Sequence, residues 1–139
     1  MIGIVIVGHG RLAQELIQTV EIIMGRLEKT VAVCIDAPEN HDAMKDRIKR
    51  AIDENAYGKV LAASFRRLSE PPGWSQGTYL KGEDSGGALL DLHIHDTDFV
   101  QFCFGKPLSV SATGFSQISG AIDHVLTQYH VAGGATVWA

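Results

Sequence analysis

The sequence predicts an α/β chain in two parts: a β-α-β-α half, residues 1–55, that builds a parallel sheet, joined to an α+β half, residues 56–139, whose sheet is mainly antiparallel. Three observations carry the prediction. Two almost continuously apolar, β-branched runs, at 2–7 and 31–35, enclose a segment of helical period. The texture changes after Tyr57-Gly58, where helical periodicity gives way to a Pro- and Gly-marked stretch. Beyond it, strand-like runs crowd together with a single long helical candidate before them.

Taken along the chain, IGIVIV reads as a strand buried on both faces, and Gly8-His9-Gly10 ends it. Leu12, Leu16, Val20 and Met24, flanked by Ala13, Ile17, Ile23 and Leu27, recur at helical spacing and predict a helix over 11–27 with a broad buried stripe. Gly25 weakens its last turn. Residues 31–35 repeat the strand pattern, and the following turn places Asn40 to cap a second helix whose apolar face is Met44, Ile48 and Ile52. Residues 60–68 predict a strand ending in Arg66 and Arg67, and 69–77, with Pro-Pro-Gly, an irregular loop without a helix. Ser85-Gly86-Gly87 leads into a helix over 88–104 that Gly105 and Pro107 stop. Strands follow at 108–113, 122–130 and 136–138, and there is no internal repeat.

Composition narrows the function classes. With 45% hydrophobic and 20% charged residues the 139-residue chain has enough apolar material for a packed core. Lys plus Arg number 12 against 16 Asp plus Glu, so the net charge is 12 − 16 = −4, and the basic residues form no stripe; nucleic acid is not an expected partner. No apolar run approaches the ~20 residues of a bilayer span, and the opening has no basic n-region or cleavage site. Membrane insertion is therefore not expected, and a cytoplasmic location is. Cys34 and Cys103 lie in apolar surroundings without C-x-x-C spacing, which predicts reduced, buried thiols rather than a disulfide or zinc site.

His9 sits between two glycines where a buried strand meets a helix, the usual ligand-binding edge of such sheets. Gly8 and Gly10 let the chain turn tightly, and the free N–H groups of the helix start, with Arg11 beside them, can receive an anion such as phosphate. Histidine titrates near neutral pH, so a nucleophilic, phosphoryl-accepting imidazole needs no special activation there. A histidine that merely caps the turn is the competing reading, at even odds. Residues 8–13 also fit G-x-G-x-x-A, and Asp36 closes the second strand where a ribose-binding acid would stand. Against a dinucleotide site, the chain changes character before the second mononucleotide half could be built.

With strand, GHG turn, helix, strand and helix in place, residues 1 to about 55 resemble the amino-terminal portion of the mannose-family IIA component of the bacterial sugar phosphotransferase system. The resemblance implies that His9 is the phosphorylated residue and that the phosphorylated histidine carrier protein and a IIB component are partners. The family continues with a third strand and an Asp-containing Gly-Gly-x-Pro loop near the active histidine, and that loop is absent here; Asp36, at the end of the neighbouring strand, is only a weak substitute.

Residues from about 57 onward, with YGKVLAASFRRLSEPPGW, SGGALLDLHIHDTDFVQFCFG and DHVLTQYH, resemble the carboxy-terminal domain of the glucose-fructose oxidoreductase and inositol dehydrogenase family. There the helix after Gly-Gly carries an Asp and a His at i, i+4, matched here by Asp91 and His95. That spacing puts both on one helical face, where a carboxylate can orient a histidine for proton transfer with a substrate hydroxyl. Without the resemblance, a merely polar helix face is preferred about two to one. The family's nicotinamide domain has no counterpart in residues 1–55, so the pair is expected to be idle and no cofactor is expected. His93, Asp96 and Asp98 give the segment a metal-like look, but no metal-ligand spacing supports it and no metal is expected.

Three functions compete on these readings: a phosphoryl carrier acting through His9, an NAD(P)-dependent sugar or polyol dehydrogenase fragment, and a non-catalytic chimera of two gene fragments. Fragments of about 55 and 84 residues are each small for independent stability, so a shared core or a homo-oligomer is expected.

Overall fold

A computed structural model describes residues 3–35, 41–70, 73–74 and 76–139; Asp36 and the expected cap Asn40 lie outside the described residues. The chain divides into two units, Met1–Lys59 and Val60–Ala139.

In the first unit β-branched residues form β1 (Ile4–His9) and β2 (Thr30–Ile35), which pair in parallel from Ile4↔Thr30 to His9↔Ile35. The connection between them, α1 (Leu12–Met24), is the right length for the crossover that parallel pairing demands. The helix α2 (His41–Asp53) follows, with Asp42 in its first turn and Arg50 in its last, signs that complement the helix dipole. The Arg47 guanidinium donates to the Cys34 carbonyl at 2.9 Å and ties α2 back to β2.

Burial in this unit departs from expectation. The strand expected to be covered on both faces leaves Ile4 54% and Val7 42% exposed, and the expected buried stripe of α1 leaves Leu12 58%, Leu16 46% and Met24 74% exposed. Among the described residues the sheet of this unit has two strands, and α1 packs on both with an apolar stripe wider than the part that is buried.

Where α1 does pack, the contact is close. Ala13 is fully buried, and a Cβ built on Gly8 would lie 3.3 Å from the Ala13 nitrogen and 3.5 Å from the Leu12 Cβ. Gly8→Val is therefore expected to destabilise this unit by about 1–3 kcal/mol through overpacking; a midpoint in urea indistinguishable from the parent would contradict the packing argument.

The second unit contains β3 (Ala62–Ser64), the short helices α3 (Gln76–Tyr79), α4 (Gly82–Ser85) and α5 (Gly87–Asp91), the longer α6 (His93–Phe104), and then β4 (Ser109–Phe115), β5 (His124–His130) and β6 (Thr136–Trp138). The sheet order is β3-β6-β5-β4, with β3 parallel to β6 and the other two pairs antiparallel. The strand expected over 60–68 is thus only three residues long, and α3 overlaps the end of the expected loop. The helix expected over 88–104 is broken at Leu92, whose φ of −105° and ψ of −51° depart from the regular helix.

Gly86 and Gly87 both have positive φ, at +72° and +65°, which L side chains rarely adopt. The pair turns α4 into α5 and brings the backbone so close to residue 122 that a Cβ at Gly87 would lie 2.6 Å from the Ile122 carbonyl oxygen. The helix α6 then lies on the sheet through His93, Val100 and Cys103, spaced to share one face. Val100, Tyr129, Val131, Ala135 and Val137 form the core, with Phe65 and Phe104 packed against it. β4 lies at the sheet edge and is exposed along its whole length.

Candidate functional site

The first unit brings Gly8, His9, Gly10 and Arg11 together at the carboxyl end of β1. Gly10 has φ +56°, the left-handed conformation that lets the strand turn into α1, and its N–H donates to the Ile35 carbonyl at 2.8 Å. His9 is exposed. The N-cap position of α1 is Arg11, which makes no side-chain capping bond, so the first-turn N–H groups keep their donor capacity at the end where the helix dipole is positive. Arg11 pairs with Glu15 at 3.0 Å, an exposed i, i+4 bridge that contributes little and can be exchanged for another anion.

In the second unit Asp91 ends α5 and His95 lies in the first turn of α6, on either side of the break at Leu92. Both are exposed, and no hydrogen bond joins them. Burial first, then the Asp91 and Asp123 carboxylates, push the Tyr79 phenol up. The metal-like trio also separates. Asp96 is bound by Arg67 at 3.1 Å, Asp98 is exposed, and His93 points into the core. Among the described residues no group of three metal-type side chains gathers.

His93 is instead the centre of a buried hydrogen-bond network. It is 7% exposed, and its Nε2 lies 2.8 Å from the Thr127 hydroxyl and 3.1 Å from the Tyr129 hydroxyl, which in turn bonds the Thr97 hydroxyl at 2.7 Å. Among the described residues no buried side-chain nitrogen or oxygen lacks a partner, and this network fastens α6 to β5. Sequence reading missed it because Thr127 and Tyr129 are remote in the chain. The available signal was their i, i+2 spacing, which puts two hydroxyls on one sheet face.

Burial holds the His93 imidazole below its ordinary value, partly opposed by Asp96. The folded state thus resists a proton that the unfolded chain accepts near pH 6.5. Stability of the second unit is expected to be fully present above that pH and to fall as pH drops below it. His93→Gln should flatten the dependence, as read by urea unfolding at several pH values; a parent flat between pH 7 and 5 would contradict it.

An open cleft of about 670 Å³ lies at one end of the same sheet. Its walls are residues 64–69, the start of β5 with Asp123, and the first turn of α6. Asp123 is occupied: its carboxylate accepts N–H groups from Gln117, Ile118 and Ser119, and those bonds hold it far below the usual carboxylate range.

The model of the GFO/IDH/MocA C-terminal domain matches residues 46–139, more than half of the chain, and the chain belongs to that family. The model of the PTS system fructose IIA component matches residues 3–62, including the whole β1-α1-β2 segment, and the two matches overlap over 46–62. Inositol 2-dehydrogenase of Rhizobium meliloti (strain 1021) is 37% identical over 78 residues, 54% of this chain and 22% of that protein. A myo-inositol dehydrogenase from Corynebacterium glutamicum ATCC 13032 aligns with 96% of this chain and 59% of its own, at 15% identity and a TM-score of 0.44. The chain thus spans about a fifth of the length of the curated relative. Among the described residues no helix is long and apolar enough to cross a membrane.

Proposed function

We propose that the chain is a phosphoryl carrier whose acceptor is His9, in the manner of the phosphotransferase component that its first unit resembles. One observation carries this reading: an exposed imidazole at the carboxyl end of a parallel strand, beside the uncapped amino terminus of α1. In the reaction a neutral ring nitrogen of His9 attacks the phosphorus of a phosphohistidine on the carrier protein. The bond to the donor nitrogen breaks as the new N–P bond forms, and the ring N–H of His9 stays in place. The first-turn N–H groups of α1, and Arg11 once released from Glu15, receive the phosphoryl oxygens. Partners on this reading are the phosphorylated histidine carrier protein and a IIB component, and the location is cytoplasmic. Incubation with that carrier should add one acid-labile phosphoryl group, read by intact mass; no addition, or an acid-stable one, would remove the proposal.

The second reading, a dehydrogenase module, is favoured by the exposure of Asp91 and His95 within the domain that places the chain in its family. Proton transfer there needs a nicotinamide ring presented by another domain, and the described residues of 1–59 form one β-α-β-α stretch. The chain alone is therefore expected to bind neither NAD nor NADP in the micromolar range, and Asp91→Asn or His95→Asn to leave phosphoryl acceptance unchanged. Calorimetry giving a micromolar dissociation constant, or polyol oxidation lost in His95→Asn, would reverse the order of the two readings.

A further inference from the structure

We propose that Ser69 is the acceptor site of an arginine-directed serine/threonine protein kinase, which reads Arg66 and Arg67 and transfers the γ-phosphoryl group of ATP to the Ser69 hydroxyl. Such an enzyme recognises charge at fixed places in an extended segment. Carboxylates in its groove receive guanidinium groups two and three residues before the acceptor. The sequence Arg66-Arg67-Leu68-Ser69 supplies both. Of the other serines and threonines only Ser109 has a lysine or arginine three positions before it, Lys106, and Ser109 is held in the β4 ladder opposite His130.

The fold presents this segment in the form a kinase needs. β3 ends at Ser64, and the Phe65 N–H makes the next bond to the sheet, to the Trp138 carbonyl at 2.8 Å. From Arg66 to Glu70 the chain is neither helix nor strand, and every residue is exposed. Among the described residues no backbone group of 66–69 bonds another backbone group. Even the apolar side chain of the segment stays outside the core, with Leu68 79% exposed. A kinase groove can therefore straighten these residues without unpairing a strand or emptying a packed site.

The reacting groups are accessible as well. The Ser69 hydroxyl donates to the Glu70 carbonyl at 2.8 Å, a local bond that a catalytic base can replace. Arg66 has no ion pair among the described residues. Arg67 meets Asp96 at 3.1 Å with 46% of its side chain exposed, and a guanidinium with five N–H donors can take a second carboxylate. In the reaction the Ser69 oxygen attacks the γ-phosphorus of ATP, the bond from that phosphorus to the bridging oxygen breaks, ADP leaves, and the hydroxyl proton passes to the aspartate base of the kinase. The phosphoserine then has two guanidinium groups within three residues of chain, which offset the charge it brings. Its ester is acid-stable, which separates this modification from an acid-labile phosphoryl group on His9.

The test incubates the full chain with ATP and the catalytic subunit of cyclic-AMP-dependent protein kinase as the arginine-directed probe, followed by acid treatment, intact mass and fragment mapping. One acid-stable phosphoryl group on Ser69 of the folded chain is the expected result. Ser69→Ala should abolish it, and Arg66→Ala should lower kcat/KM about ten-fold through loss of a charge-assisted contact, with circular dichroism unchanged in both. A kinase directed to acidic sequences should leave Ser69 unmodified. No incorporation, incorporation that survives in Ser69→Ala, an equal kcat/KM for Arg66→Ala, reaction only after unfolding in urea, or equal modification by the acid-directed kinase would each overturn the proposal.

Discussion

Tyr129→Ala is expected to unfold most of the second unit at room temperature. Tyr129 is 2% exposed and sits in the centre of the core, so truncation removes a buried ring and leaves a cavity, at a cost of about 3–5 kcal/mol. Its hydroxyl also joins part-buried Thr97 to buried His93, and the loss of both bonds adds about 1–3 kcal/mol. A domain of this size is stable by roughly 4–12 kcal/mol, so the sum consumes most or all of it. Tyr129→Phe keeps the ring and isolates the hydroxyl, and should cost only the smaller amount. Circular dichroism during urea titration separates the two; a Tyr129→Ala transition within 1 M of the parent would show that the core does not centre on this residue.

His9→Gln is the second large effect, an expected complete loss of phosphoryl acceptance. Glutamine keeps a polar side chain of similar reach at the turn but has no nucleophilic nitrogen, so the variant separates chemistry from folding. Arg11→Ala should be milder, slowing transfer a few-fold, because on the proposed reading Arg11 would share the phosphoryl oxygens with backbone N–H groups that remain. Equal losses in both variants would mean that the arginine contributes more than a shared contact. Transfer persisting in His9→Gln would place the acceptor elsewhere in the chain.

Local pattern made the elements legible. The β-branched runs marked β1 and β2, the helical period marked α1 and α2, and residues 136–138 coincide with β6. Burial was not legible in the same way, because apolar periodicity tells which face seeks cover and not whether a layer exists to supply it. Ile4 on β1 and Leu12 on α1 are both apolar in pattern, and both are exposed. The break at Leu92 was hidden for a related reason: residues 88–104 hold no Pro and no internal Gly, and only the closeness of α5 to residue 122 redirects the chain.

The candidate sites divide along the same line. The Gly8-His9-Gly10 turn was readable because all its parts are adjacent in sequence. Asp91 and His95 were readable as a pair only through a family resemblance, and the structure separates them onto two helices. The His93 network was not readable, because it depends on nonlocal pairing. The parallel contact of β3 with β6 joins residues more than seventy positions apart, and no local signal announces it.

The central claim, that the chemistry of this chain resides at His9, is tested most directly by mapping the phosphoryl group after reaction with the phosphorylated histidine carrier. The chain has six histidines, and fragmentation that preserves the N–P bond assigns the modified one. The account predicts phosphate on His9 and none on His93, His95 or His124. Phosphate on any of the other five, or an unmodified chain under conditions where the carrier has discharged, would contradict it.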